Sequence, residues 1–176
     1  MAAVIGWASS DLSGTPVKRG QTSKVAGAEA RGFVQAFAKA AADGDGSIYY
    51  LAEIPASAVL QSLLLNNAAL AGCTDVDLGF YKLHDDGTIT DDAKSDATSG
   101  ADLLTNGADI AAGKAIGSDL NGLASLGIAN LGKKVWELLG FTDPKLKNES
   151  YILGLKLNTA GAAAGALAVR GEFVQG

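Results

Sequence analysis

The stretch with the most suggestive chemistry runs from Gly127 to Gly140 and reads GIANLGKKVWELLG. Its first two glycines and the following lysine have the spacing of a phosphate-binding loop, in which backbone amides and the lysine hold nucleotide phosphates. The next position should carry a hydroxyl that binds magnesium, but here it is Lys134. A long helix should also follow, whereas Gly140 ends the segment after about two turns. The sequence therefore argues against nucleotide binding and predicts a short helix over residues 133–139.

Two acidic stretches have residue types that can bind a cation. Asp43, Asp45 and Ser47 match the first three ligand positions of a calcium loop. Ile54 stands where such a loop needs its bidentate glutamate, so we expect a turn there. Four aspartates between residues 85 and 92 form a second cluster, which we expect to be a solvated loop. The sequence thus predicts no metal site.

Nucleophilic catalysis requires a base beside the nucleophile. Cys73 is the only thiol and His84 the only histidine. They flank a predicted strand over residues 74–83, which would separate them by roughly 36 Å. We therefore predict no catalytic residues and no cofactor, and we expect that the chain is not an enzyme. Carboxylate chemistry, as in a glycoside hydrolase, remains an alternative that the acidic residues leave open.

The composition is that of a folded all-β domain. The chain has 176 residues, of which 48% are hydrophobic, with 23 glycines and three prolines. The net charge of −5 argues against binding to nucleic acid through the whole surface. No apolar run reaches the roughly 18–20 residues that a membrane-spanning helix needs. We expect neither nucleic acid nor membrane among the partners.

The elements that would position any site are strands with alternating apolar residues. The strand TDVDLGFYKL places Val76, Leu78 and Phe80 on one face and polar residues on the other, which is typical of a half-buried antiparallel strand. Segments 33–39 and 47–54 flank the turn signal DGDG and are predicted to form a hairpin. The segment AVLQSLLLNNA fits either a strand or a helix.

Two alternating segments near the C-terminus complete the predicted core. Leu153 and Leu155 share a face of one strand, and Val169 and Phe173 share a face of the last. Trp136, in the short helix, is expected to close one end of the sheet core. We predict an antiparallel β-sandwich or jelly-roll-like domain with one short helix.

Two regions lack this periodicity. Residues 1–30 are predicted to be an extended N-terminal arm, followed by the β-sandwich domain over residues 31–176. Val4, Ile5 and Trp7 are the arm's large apolar residues and are predicted to contact a partner. Residues 84–126 are predicted to be a loop-rich insert with a short hairpin at Asp86-Gly87.

Several motifs together resemble a known family. They are the IP…A…L segment that leads into T-D-x-D-L-G-x-Y, the K-x-V-W-E-L turn followed by DP, and the two closing strands SYILGLKLN and ALAVRGEFV. Over roughly residues 32–174 the chain resembles small structural proteins of tailed-bacteriophage virions, which accompany the major capsid protein.

The resemblance implies a capsid decoration, or cement, protein. Such a protein would be made in the host cytoplasm, bind the major capsid protein on the capsid exterior and stabilise the lattice as a homo-oligomer, with a trimer favoured. The alternative within the virion is a head-fibre or tail module that binds a receptor or glycan.

Overall fold

The computed structural model describes residues 5–7, 23–25, 28–114, 120–143 and 149–175. Strands dominate these ranges, which confirms the predicted all-β class. The elements in chain order are β1 (Ile5–Trp7), β2 (Ser23–Val25), β3 (Ala28–Lys39), β4 (Ser47–Pro55), β5 (Ala58–Asn67), β6 (Asp75–Leu83), β7 (Ile89–Thr90), β8 (Gly100–Ala108), β9 (Leu120–Asn121), α1 (Val135–Leu138), β10 (Ser150–Thr159) and β11 (Gly165–Gln175).

The strands form two sheets that pack as a sandwich. Sheet A has the order β1-β4-β10-β6-β7, and β8 also pairs with β6. Sheet B has the order β2-β3-β11-β5-β9. β1 runs parallel to β4, and the other strand pairs are antiparallel. The chain crosses from one sheet to the other at the links β3–β4, β4–β5, β5–β6, β8–β9, β9–β10 and β10–β11, so strands that are consecutive in sequence often lie in different sheets.

The predicted hairpin of segments 33–39 and 47–54 is therefore wrong. β3 lies in sheet B and β4 in sheet A. Phe37 and Tyr49, one from each strand, stack across the interior with ring centroids 4.5 Å apart. A turn signal such as DGDG reverses the chain but does not determine whether the two strands pair. Here the burial of both aromatic rings favours strands that face each other.

The predicted core positions lie on the inner faces of both sheets. Val76, Leu78 and Phe80 are fully buried on β6, as are Leu153 and Leu155 on β10. From the other sheet, β11 contributes its own buried inner-facing pair, Val169 and Phe173. All of them belong to one cluster that joins the two sheets. The ambiguous segment AVLQSLLLNNA forms β5, whose inner residues enter the same cluster.

β6 is buried on both faces, although its alternation predicted a half-buried strand. Tyr81 on the outer face is 1% exposed and packs its ring over Gly154 of β10. Gly79 lies directly beneath the backbone of Gly100 and Ala101 from β8. The outer face is covered because β8 returns over it, and the sequence of β6 does not contain that information.

The segment 84–126 has more regular structure than expected. The hairpin at Asp86-Gly87 is present and joins β6 to β7. The nine-residue strand β8 follows and pairs with β6 through irregular register steps. Those shifts explain why β8 shows no clean alternation, since inward and outward positions change along the strand.

The predicted helix over residues 133–139 is shorter than expected, because α1 is a single turn. Lys134 is extended and serves as the N-cap, and Gly140, with a φ of +83°, follows the C-cap Leu139. Trp136 is only partly buried and packs at the margin of the core, whereas Val135 and Leu139 are fully buried. Val135 and Leu139 thus belong to the core at this end, and Trp136 packs against it. In the described part of the chain, no helix has the length and apolar character needed to cross a membrane.

The predicted boundary between arm and domain at residue 31 falls inside a strand. β3 begins at Ala28, and β2 pairs with its first residues. β1 pairs with the edge of β4, with Ile5 opposite Ile48. The described parts of the predicted arm thus form edge strands, one on each sheet.

Candidate functional site

The stretch that resembled a phosphate-binding loop is a connection fastened to the edge of sheet B. Residues 128–130 form a 3-10 turn, and the α1 turn follows. Lys134 forms a bridge with Val59 of β5, and the Trp136 amide donates to the carbonyl of Ala56 over 3.2 Å. The Lys134 amide donates to the Glu137 carboxylate over 2.7 Å, which caps the turn. With one helical turn and no long strand before it, this geometry holds two connections together and offers no phosphate cradle.

Cys73 and His84 lie at opposite ends of β6, as the sequence predicted. Cys73 is buried and its thiol donates to the carbonyl of Ala160. Burial raises the pKa of this thiol, which disfavours the reactive thiolate. His84 contacts the Thr90 hydroxyl at 2.9 Å beside the β6–β7 hairpin. Neither residue has, among the described residues, the partner that nucleophilic catalysis requires.

The acidic residues of segment 84–126 are bound locally and do not converge. Asp86 accepts from the Thr88 amide, Asp92 from the Thr90 hydroxyl, and Asp96 from Thr98. These hydrogen bonds lower the pKa of all three carboxyls, because they stabilise the charged form. No group of three or more potential metal ligands occurs among the described residues. The carboxylates stabilise turns of the insert.

The DGDG turn contains the most developed polar site in the described chain. Asp43 accepts hydrogen bonds from the Ala40 amide, over 2.8 Å, and from the Tyr49 hydroxyl. Asp45 accepts from the amide of Ala160 over 2.8 Å. Both carboxylates are thus directed at groups of the protein, which explains why the calcium-like spacing gives a turn.

Lys39 completes this site from the end of β3. Its side chain is 1% exposed, and its ammonium donates to the carbonyls of Ala40, Gly161 and Ala163 at 3.0–3.1 Å. We call Lys39, Asp43, Asp45 and Tyr49 the polar end cluster. It fastens the β3–β4 turn to the β10–β11 link at one end of the sandwich. Its groups are engaged with one another and with backbone atoms, so its role is structural.

Alkaline pH should unfold the protein through its buried tyrosines. Burial is the main cause that raises the pKa of Tyr81 and of Tyr49 above 10.0, and the Asp43 carboxylate adds to the effect at Tyr49. A raised folded-state pKa means that the stabilisation is complete below the unfolded-state pKa of about 10 and is lost as pH rises above it. We expect tyrosinate absorbance to appear together with loss of circular dichroism above about pH 10.

Tyr81→Phe provides the matched variant. The Tyr81 hydroxyl has no hydrogen-bond partner among the described residues, so phenylalanine preserves the packing. This variant should be at least as stable as the wild type at neutral pH and should lose stability less steeply above about pH 10. Identical pH profiles for the two proteins would contradict the prediction.

The predicted partner-contact residues lie in the arm. Val4 lies outside the described residues. Ile5 and Trp7 belong to β1, whose backbone pairs with β4 of the same chain. That pairing fixes where this segment lies, and contact with a partner stays a prediction.

A shallow groove of about 450 Å³ opens beside β5. Leu63 and Leu64 line its strand side, and the loop after β9 lines the other side. Two large apolar side chains at its rim are exposed, Ile128 by 89% and Leu131 by 57%. Among the described residues, the lining of the groove contains no titratable side chain.

Comparison with known proteins gives a fold relationship. No protein-family model matches the chain, and no curated protein matches its sequence. A chain of the solved structure "Capsid of Ralstonia phage GP4" is similar to it with a TM-score of 0.56 and 16% sequence identity. The match covers 99% of this chain and 99% of that chain. The two proteins therefore share their fold over nearly their whole length.

Proposed function

We propose that this chain is a structural protein of a bacteriophage virion, of the decoration type that binds the capsid exterior and stabilises the lattice. The observation that carries the proposal is the fold shared, over 99% of both chains, with a chain of a phage capsid structure. The polar side chains that could have done chemistry support it, because the structure uses them to hold turns and links. The virion motifs of the sequence agree with this role.

The mechanism follows from mass action. A protein that binds the assembled lattice better than the free subunits shifts the equilibrium toward the lattice. The proposed partners are the major capsid protein and further copies of this chain. A trimer is the oligomer that the resemblance favours. Synthesis in the host cytoplasm and a final position on the outside of the virion complete the proposal, which requires no catalytic step.

The arm is the proposed contact with the shell. Trp7 is its largest apolar side chain, with Val4 and Ile5 beside it in sequence. Aromatic anchors of this kind dominate binding energies when a partner surface covers them. β1 lies at the edge of sheet A, where a neighbouring protein can reach it.

Co-sedimentation with empty shells, assembled from the major capsid protein of the same phage, tests the proposal. We expect saturable binding, a higher shell melting temperature, and binding about tenfold weaker or worse for Trp7→Ala. Ile128→Ala, which removes an exposed apolar side chain far along the chain, is the matched control and should bind normally. Absence of binding by the wild-type chain would refute the proposal. A loss only with Ile128→Ala would place the contact at the groove.

Copy number separates decoration from the fibre alternative. A decoration protein occupies equivalent positions over the whole lattice, so all of these sites should fill together. A head-fibre or tail module would instead occur as a few copies at a vertex or tail. Quantitative gel analysis of purified virions gives the copy number of this chain relative to the major capsid protein. A low ratio would favour the receptor-binding alternative.

A further inference from the structure

The outer face of sheet B has an unusual composition. Five small or apolar residues of β3 face outward there, namely Ala30, Gly32, Val34, Ala36 and Ala38. The last three are exposed, and Val34 is 68% exposed although it lies in the middle of the strand. The strand pairing with β11 is continuous over this whole length, without a bulge. The β3 part of this face is therefore regular and carries only small or apolar residues.

Two opposite charges lie at the centre of the face. β11 directs Arg170 and Glu172 outward, on either side of the inward-facing Gly171. On the outer face of β3, β11 and β5 these are the charged residues among the described positions. β5 adds Leu64 beside Arg170 and Ser62 beside Glu172.

The strand register makes this arrangement self-complementary. Val34, Arg170 and Leu64 form one row across the three strands, and Gly32, Glu172 and Ser62 form the row two residues along. Consider a second copy turned over about an axis that runs across the strands at Gly171. The row of Val34, Arg170 and Leu64 in one copy then lies opposite the row of Gly32, Glu172 and Ser62 in the other copy.

The contacts that result are favourable at two positions of each row. Arg170 of each copy lies opposite Glu172 of the other, so two ion pairs form around the axis. The exposed Val34 lies opposite Gly32, where the absence of a side chain leaves room. A β-carbon at Gly32 would lie in ordinary van der Waals contact with the Gly171 carbonyl oxygen, at 3.8 Å, and with Cγ of Glu172, at 4.0 Å, so a methyl-sized group fits above this glycine without overlap. Packed sheets normally cross at about 30°, and rows next to the axis remain aligned at that angle.

We propose that the outer face of sheet B is an interface with a second copy of this chain, related by a two-fold axis at Gly171. The three strands give a footprint of roughly 30 Å by 14 Å. The area of this footprint is about half of the roughly 800 Å² that each partner buries in a standard stable interface. The pair is therefore expected to be weak in free solution. The inference stands on this face alone and does not depend on the virion role.

Charge exchange in the full-length protein tests the interface. Arg170→Glu alone places four acidic side chains around the axis, and Glu172→Arg alone places four basic ones. Each variant should associate at least tenfold more weakly than the wild type in sedimentation equilibrium. An equimolar mixture of the two should form a heterodimer as strong as the wild-type pair. An effect of these charges within one chain could not produce that rescue, because each chain in the mixture keeps its single substitution.

Val34→Lys provides a second variant that leaves the charges intact. It should abolish association because it places a long, charged side chain over Gly32 of the partner, whereas Thr88→Lys, at an exposed position in the β6–β7 hairpin of sheet A, should not. Melting curves of all variants establish that they fold.

A wild-type dimer with rescue by mixing supports the interface. A wild-type protein that stays monomeric at millimolar concentration, a trimer without two-fold contacts, or a mixture without rescue would overturn it. Shell binding, measured separately, reports on the proposed function and not on this face.

Discussion

Gly79→Ala should destabilise the protein by about 3 kcal/mol or more, because overpacking against rigid neighbours forces backbone shifts. An added methyl group at Gly79 would overlap backbone atoms of Gly100 and Ala101 on β8. A flexible side chain could move aside, but a paired strand cannot do so without breaking its contacts with β6. Urea unfolding measures the loss, and hydrogen exchange should show that β8 amides lose protection first.

Gly32→Ala is the matched control for this experiment. Gly32 also lies within a long strand, yet its nearest neighbours would be 3.8–4.0 Å from an added β-carbon. Its substitution should change stability by no more than about 0.5 kcal/mol, because alanine fits there without displacing other atoms. The comparison should be made at low protein concentration, where association does not contribute. Equal losses for the two variants would show that β8 does not lie over β6 as described.

Lys39→Met should cost about 3 kcal/mol of stability. Methionine retains the apolar stem but removes the ammonium that donates to three carbonyls. Each buried acceptor left without a donor costs roughly 1–3 kcal/mol, less where water reaches it. The carbonyls of Gly161 and Ala163 belong to the β10–β11 link, so this link should also exchange its amides faster. Thermal unfolding and hydrogen exchange measure the two effects.

Lys133→Met controls for the loss of a positive charge from an acidic protein. Lys133 is exposed and its ammonium contacts the side chain of Asn130 at 2.8 Å. An exposed interaction of this kind contributes little, so the expected change is within about 0.5 kcal/mol. If both lysine variants lost the same stability, the effect would come from net charge and not from the polar end cluster.

The predictions for Gly79→Ala and Lys39→Met concern features that sequence patterns do not reveal. Alternation identifies which face of β6 or β10 is apolar, and it located the core residues of both strands. It contains no information about a second covering layer, because Gly79 and Gly100 are separated by a long, irregular segment. The outer face of β6 was consequently expected to be solvated, and the structure buries it.

The polar end cluster was only partly visible in the sequence. DGDG indicated a turn, and the mismatch at Ile54 argued against calcium, but the partners of the two aspartates lie elsewhere in the chain. Lys39 appeared only as the last residue of an alternating strand. Its burial depends on carbonyls more than 120 residues away, and no local signal predicts such a contact.

The sequence alone determined the class of fold, the inward-facing positions of the long strands and the weakness of every catalytic pattern, because these depend on periodicity and spacing within short segments. The tertiary structure decided which strands pair, so that β3 and β4 face each other across the core and do not form a hairpin. It also buried Val135 and Leu139 more deeply than Trp136, and it aligned Arg170, Glu172, Val34 and Gly32 on one face. Those outcomes depend on contacts between distant segments, whose geometry is set only when the whole sandwich packs.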